Sequence, residues 1–175
     1  MDYFSFYELP LRFNTDDSLI KKKFYELSKK YHPDFYINES EDKQQEVLEL
    51  STLNNKAYQI LSDPEKRLQY ILELKELIHE GESYKLPQDF LMDMMEVNEE
   101  LMELQFDPDP SSLRSLTEKV GHVKADLRSN LQQLMNKFDE NLSNENAAIL
   151  NDIKDLYYRN KYLIRIEEGI KKMEV

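Results

Sequence analysis

The sequence predicts an all-α chain, with a small N-terminal helical hairpin domain followed by an antiparallel three-helix bundle. Three observations point there. Glycine is scarce, at 3 of 175 residues, and 33% of the residues are charged, a composition that favours helix over sheet. Apolar residues recur at three- and four-residue spacing through several long stretches, and none alternates as a half-buried strand would. Helix-capping residues and prolines stand at the ends of those stretches.

In chain order, residues 4–9 form a short apolar start that Pro10 breaks. A helix is expected from about Asp16 to Tyr31, capped by Thr15 or Asp16, with Leu19, Ile20, Phe24 and Leu27 on its buried stripe. It stops near His32, because Pro33 pushes the preceding residue out of the α region. Residues 34–40 read as a polar loop. Ser40 caps the next helix, with Glu41 and Asp42 at its positive end and a stripe of Val47, Leu50, Asn54, Ala57 and Leu61. Asp63-Pro64 punctuates it, and a shorter helix runs from about Glu65 to Leu77. The segment His79-Glu80-Gly81-Glu82-Ser83 is the clearest linker signal, which divides the chain into residues 1–76, a linker 77–86 and residues 87–175.

Pro87 suits the first turn of a helix reaching about Leu104. Phe106-Asp107-Pro108-Asp109-Pro110 reads as a loop, with Asp109 as the next cap. A long helix follows, striped by Leu113, Leu116, Val120, Val123, Leu127, Leu131, Leu134 and Phe138. A last helix is expected from about Ser143 to Lys172 through Ile149, Ile153, Leu156 and Leu163. Gly121 falls inside the long helix, where close packing is the only evident reason for it.

The net charge is −12, which disfavours nucleic acid as a partner, because phosphate neutralisation needs clustered Lys and Arg. With no cysteine, the chain has no disulfide, no thiolate chemistry and no cysteine-held zinc or cluster. His79 and His122 are isolated, so no cofactor and no protein-bound metal is expected. Met1-Asp2-Tyr3-Phe4 lacks the basic-then-apolar pattern of a signal peptide, and nothing approaches the roughly 20 apolar residues of a membrane span. A cytoplasmic, soluble and monomeric protein is expected, with no membrane partner.

Against this acidic background, the first long helix carries Lys21, Lys22, Lys23, Lys29 and Lys30. If the stripe is buried, the lysines face water and can steer an acidic partner surface, although a solvated helix face explains them equally well. The helix runs into Tyr31-His32-Pro33-Asp34, so His32 and Asp34 are held in a tight exposed loop. By itself the tripeptide is weak evidence. It also fits a turn in which Asp34 caps its own backbone, or a catalytic His/Asp pair, which lacks a recognisable nucleophile or oxyanion donor nearby.

The surroundings decide between these readings. The run Leu27-Ser28-Lys29-Lys30-Tyr31-His32-Pro33-Asp34, then Asn55-Lys56-Ala57-Tyr58-Gln59-Ile60-Leu61-Ser62-Asp63-Pro64, then Lys66-Arg67 and Tyr70, resembles the J-domain family in order and spacing. The resemblance implies a two-helix hairpin with the tripeptide at its tip. It also implies contact with the nucleotide-binding domain and interdomain linker of a 70-kilodalton heat-shock chaperone, whose ATPase the J-domain stimulates. His32, Pro33 and Asp34 are then the signalling group, and Lys21, Lys22, Lys29 and Lys30 the electrostatic contacts. The chain itself has no Gly-rich phosphate loop and is expected not to be an enzyme.

A second feature lies in 90–104. At about 100° per residue, Phe90, Met94, Val97, Leu101 and Leu104 form one apolar face. Met92 and Met95 fall roughly opposite with Glu96, Glu99 and Glu103, and Leu91 lies at their edge. Residues 87–110 hold eight acids and no base. Such a surface fits either packing by the N-terminal domain or docking of a basic partner on adaptable Met anchors. An N-terminal J-domain beginning Met1-Asp2-Tyr3-Phe4, followed by a bundle opening Phe90-Leu91-Met92, resembles the HscB family over the whole chain.

That resemblance implies that the bundle's first helix and an aromatic on the last helix bind the scaffold IscU. The matching positions are Leu91, Met92, Met95, Glu96, Glu99 and Glu103, with Tyr158 as the aromatic and Tyr157 adjacent to it. It implies a co-chaperone that delivers IscU to an HscA-type chaperone for iron–sulfur cluster assembly. The alternative is a J-domain co-chaperone with a different client. Eukaryotic relatives carry a cysteine-rich metal module and a targeting segment before the J-domain, and their absence here points to the bacterial form.

Overall fold

The computed structural model describes residues 1–141 and 147–174. Among them are seven α-helices, one 3-10 turn and no strand. The chain divides into two compact units, Met1–Glu76 and Leu77–Val175. Residues 77–86, read from sequence as a linker, thus join the second unit.

In the first unit, a single turn, α1 (Tyr3–Phe6), is capped by the Asp2 carboxylate, which accepts the Ser5 N–H at 2.9 Å. Asp16, not Thr15, caps α2 (Asp17–Lys30). The predicted polar loop begins instead as a 3-10 turn, Pro33–Tyr36, before α3 (Glu41–Leu61), which Ser40 caps. Asp63 caps α4 (Pro64–Leu74), accepting from the N–H groups of Glu65 and Lys66. This helix ends three residues before the expected Leu77, since Glu76 turns to a φ of +56° that no α-helix continues.

The α2–α3 hairpin closes over Ile20, Val47, Ala57 and Leu61, to which α1 and α4 add Phe4, Ile71 and Leu72, all buried. Leu19 departs from the predicted stripe and is 46% exposed. One position along the helix, about 100°, is enough to turn a side chain off the buried face. At the centre, the Asn54 amide donates to the Phe24 carbonyl at 3.1 Å and to the Ser28 hydroxyl at 3.0 Å, and its oxygen accepts from the buried Tyr7 hydroxyl at 2.9 Å. Arg67 is likewise buried, donating to the carbonyls of Phe13 and Leu61. Such groups are tolerated inside because their hydrogen bonds are made.

The second unit contains α5 (Gln88–Phe106), α6 (Pro110–Glu140) and α7 (Ala147–Lys171). Asp109 caps α6, and Pro110 occupies its first turn. The expected start of α7 at Ser143 lies outside the described residues. Phe90, Met94, Val97, Leu101 and Leu104 are buried on α5 as expected, against Leu116, Val120 and Leu127 of α6 and Leu163, Ile166 and Ile170 of α7.

Three-helix packing holds only along the length of α5. Beyond it α6 and α7 continue as a pair, with Leu131, Phe138, Leu150 and Ile153 buried. The segment before α5 lies along α7, where Tyr84 donates to Asp155 at 2.8 Å and Lys154 pairs with Glu82 at 3.5 Å. Gly169 of α7 faces α5 so closely that an added Cβ would stand 3.0 Å from a Leu101 methyl. Gly121 has open space around it, so close packing does not account for it.

Candidate functional site

The His32-Pro33-Asp34 tip is built by local hydrogen bonds. Pro33 opens the 3-10 turn, and the Asp34 N–H donates to His32 Nδ1 at 3.3 Å. The histidine, rather than Asp34, therefore caps this turn. The Tyr36 hydroxyl donates to the Lys30 carbonyl at 2.7 Å, fastening the turn to the end of α2. From the other side, the Gln44 amide donates to the carbonyls of Ile37 and Glu39. All three tripeptide residues remain exposed.

The Asp34 carboxylate lies 3.8 Å from His32 Nδ1. Nδ1 cannot accept from the Asp34 N–H and also carry a proton towards its carboxylate. The capped arrangement therefore belongs to the imidazole protonated on Nε2 alone. No Ser, Thr or Cys nucleophile is placed against this pair by any hydrogen bond among the described residues.

Lys21, Lys22, Lys29 and Lys30 are exposed on α2, with Lys29 and Lys30 in the turn that leads into the tip. Lys22 approaches Glu26 at 4.0 Å, and Lys30 lies over the Tyr31 ring at 5.2 Å. Lys23 behaves differently. It donates to Glu8 at 2.6 Å, and that hydrogen bond raises the lysine's pKa and lowers the glutamate's. The basic stripe available to a partner is therefore four lysines, with the fifth tying α2 to the exit of α1. Two further apolar side chains at the tip, Phe35 and Ile37, are exposed. Both fall in the segment read from sequence as polar loop.

On α5, Met92 and Met95 are 61% and 59% exposed, on the helix face opposite the buried Phe90–Leu104 stripe. Glu96, Glu99 and Glu103 are exposed beside them, and Leu91 is half-buried at the edge. These six predicted residues therefore share one surface. Sequence reading placed no base near it, but α6 supplies one. Lys119 Nζ lies 2.8 Å from Glu100 and 4.0 Å from Glu96, and the Glu100 hydrogen bond raises the lysine's pKa.

Tyr158 is half-buried, and one face of its ring is occupied, stacked on Tyr84 with centroids 4.3 Å apart and planes 7° from parallel. Tyr157, its neighbour, is buried. Tyr84 donates to Asp155. Burial, reinforced by that hydrogen bond, pushes its ionisation up to about 12. Tyr84 was legible only as one aromatic in the linker, because its partner lies 71 positions away. Met102 and Phe106, 58% and 87% exposed, continue the α5 surface. The sequence assigns Phe106 to a loop, which hides its register with Met92.

Among the described residues no group of three or more His, Cys, Asp or Glu side chains is arranged to hold a metal ion. No described helix is long and apolar enough to cross a membrane.

Comparison with known proteins bears on the fold and the family. Residues 5–70 match the DnaJ domain family, and residues 86–171 match the family described as HSCB C-terminal oligomerisation domain. The chain is 31% identical over 176 residues to the co-chaperone protein HscB homolog of Vibrio cholerae, covering 99% of this chain and 97% of that one. Against the HscB homolog of Shewanella frigidimarina it is 31% identical over 179 residues, covering 97% and 99%. Among solved structures it resembles the chaperone HscB from Vibrio cholerae, with a TM-score of 0.64 at 26% identity and 99% and 98% coverage. It also resembles human co-chaperone HscB, with a TM-score of 0.70 at 26% identity, covering all of this chain and 83% of the human one. With a J-domain ahead of an HscB-type helical unit, and near-complete mutual coverage at 31% identity, this chain belongs to the HscB co-chaperone family.

Proposed function

We propose that this protein is a two-ended adaptor that engages an HscA-type 70-kilodalton heat-shock chaperone through α2 and the His32-Pro33-Asp34 tip, and carries the IscU scaffold on α5. The observation that carries the reading is the exposure of Met92 and Met95 opposite the core face of their helix. A bundle helix needs only one apolar stripe, and flexible thioethers left in water beside carboxylates suit a partner surface.

In this reading the chain performs no chemistry. It binds one conformation of the chaperone more tightly than another, and that differential affinity shifts the chaperone towards hydrolysis. A rigid tip serves this purpose, because a loop that had to be ordered on binding would give up part of the interaction energy. Lys21, Lys22, Lys29 and Lys30 accelerate encounter with an acidic face, while Glu96, Glu99 and Glu103 do the same for a basic scaffold surface. In this reading Tyr158 of α7 supplies the aromatic contact to the scaffold, with Tyr84 stacked on one face of its ring.

The test is steady-state ATPase of the HscA-type chaperone with this protein, with and without IscU. His32→Gln should abolish stimulation while leaving scaffold binding intact. Met92→Ala combined with Met95→Ala should weaken scaffold affinity about tenfold or more while leaving scaffold-free stimulation unchanged. Full stimulation by His32→Gln, or unaltered scaffold affinity in the double variant, would remove the corresponding end of the adaptor.

A further inference from the structure

The exposed apolar surface of α5 does not stop where the predicted site residues stop. Met92, Met95, Met102 and Phe106 are all more than half exposed. With Glu99 they occupy positions 92, 95, 99, 102 and 106, an alternation of three- and four-residue steps that keeps one helix face aligned with a partner helix. A single exposed apolar side chain means little, but a seam repeated over four turns does not arise from scattered surface residues. From Met92 to Phe106 it spans about 21 Å.

Charge is sorted along the same axis. At about 100° per residue, Asp89, Asp93, Glu96, Glu100 and Glu103 fall within an arc of about 80° on one flank of the seam, while Glu99 stands in the seam itself. Lys119 pairs with Glu100 and Glu96 on that flank. Asp107 and Asp109 follow, and with Glu100, Glu103 and Leu104 they line a cleft where α5 passes to α6. The ridge is thus an apolar track with one negative margin along its whole length.

We propose that this track, continued through Met102 to Phe106, receives a basic amphipathic helix of the client, laid along α5 with its Lys and Arg on the Glu99–Glu103 side and Phe106 as its terminal anchor. The proposal rests on α5 being the scaffold-binding helix and extends that site by about one turn, from Glu103 to Phe106, adding Met102 and Phe106 as apolar contacts. Charge argues for this occupant over a second copy of the chain. Two copies meeting on this face would bring both acidic flanks into one contact, and Lys119, the base that α6 places there, is already paired with Glu100 and Glu96.

The experiment is isothermal titration of full-length protein with IscU-type scaffold, comparing Met102→Ala/Phe106→Ala with Met92→Ala/Met95→Ala. Helical circular dichroism and thermal melting serve as fold controls. All four side chains are exposed, so both variants should melt as the parent does. The proposal expects each pair to weaken binding about tenfold or more. Loss on Met92→Ala/Met95→Ala with unchanged binding by Met102→Ala/Phe106→Ala overturns the extension and leaves the scaffold reading standing. Unchanged binding in both variants, or no binding by the parent protein, overturns the two together. Concentration-dependent dimerisation that disappears in Met102→Ala/Phe106→Ala would assign the face to self-association and also overturn the proposal.

Discussion

Asn54 connects three segments from a position 1% exposed. It receives the Tyr7 hydroxyl while donating to Phe24 and Ser28 of α2. Asn54→Ala deletes these hydrogen bonds, each worth about 0.5–1.5 kcal/mol net, while the Tyr7 hydroxyl keeps the carbonyl of residue 54 and the Ser28 hydroxyl keeps the Phe24 carbonyl. Urea unfolding should therefore show a clear fall in the stability of the first unit. Tyr84 gives a pH-dependent counterpart. Its hydroxyl ionises near 10 when unperturbed and at about 12 when folded against Asp155. The folded state keeps a proton that the unfolded chain has released, so this stabilisation is complete below pH 10 and is lost as pH rises towards 12. Tyr7, Tyr70 and Tyr158 are raised too, so alkaline destabilisation should persist in Tyr84→Phe but begin less steeply. A stability curve identical to that of the parent through this range would show that Tyr84 does not hold its proton in this way.

At the scale of elements, helices were legible where capping chemistry was local. Ser40 and Asp109 cap the helices that they are read to cap, and Asp16, one of two candidates with Thr15, caps α2, whereas Asp63, read only as punctuation, caps α4. Where an end depends on backbone conformation, sequence gave less warning, and α4 stops early at a left-handed Glu76 that carries no glycine signal. The α5 core face was readable residue by residue because burial there follows the helical period. Lys119 beside Glu96, and Tyr84 against Tyr158, were not readable, because each pair is set by how helices meet rather than by spacing along one of them. Gly121 offers a clean test of propensity without packing. Nothing lies within 4 Å of an added Cβ, so Gly121→Ala should stabilise the second unit by about 1 kcal/mol, read as a higher melting temperature. An unchanged or lower melting temperature would mean the glycine has a role that the free structure does not display.

For the whole molecule, the net charge of −12 conceals two surfaces of opposite sign, four exposed lysines on α2 and the acidic flank of α5. Both associations should therefore weaken with salt, as the Debye length falls from about 30 Å at 0.01 M to about 8 Å at 0.15 M. Lys21→Glu with Lys22→Glu should slow chaperone association and flatten its salt dependence while leaving scaffold binding unaffected. Stopped-flow rates at two ionic strengths would decide the matter, and an association rate indifferent to salt would remove the lysines from the encounter. The Gly169–Leu101 approach bears on the same architecture. The outer face of α5 is the proposed partner surface, while its inner face is seated against a residue that has no side chain. Even a methyl group at position 169 obliges the Leu101 side chain to give by a few tenths of an ångström. A substitution wholly inside the bundle could thus tilt the outward track and impair recognition without altering a single residue that a partner touches.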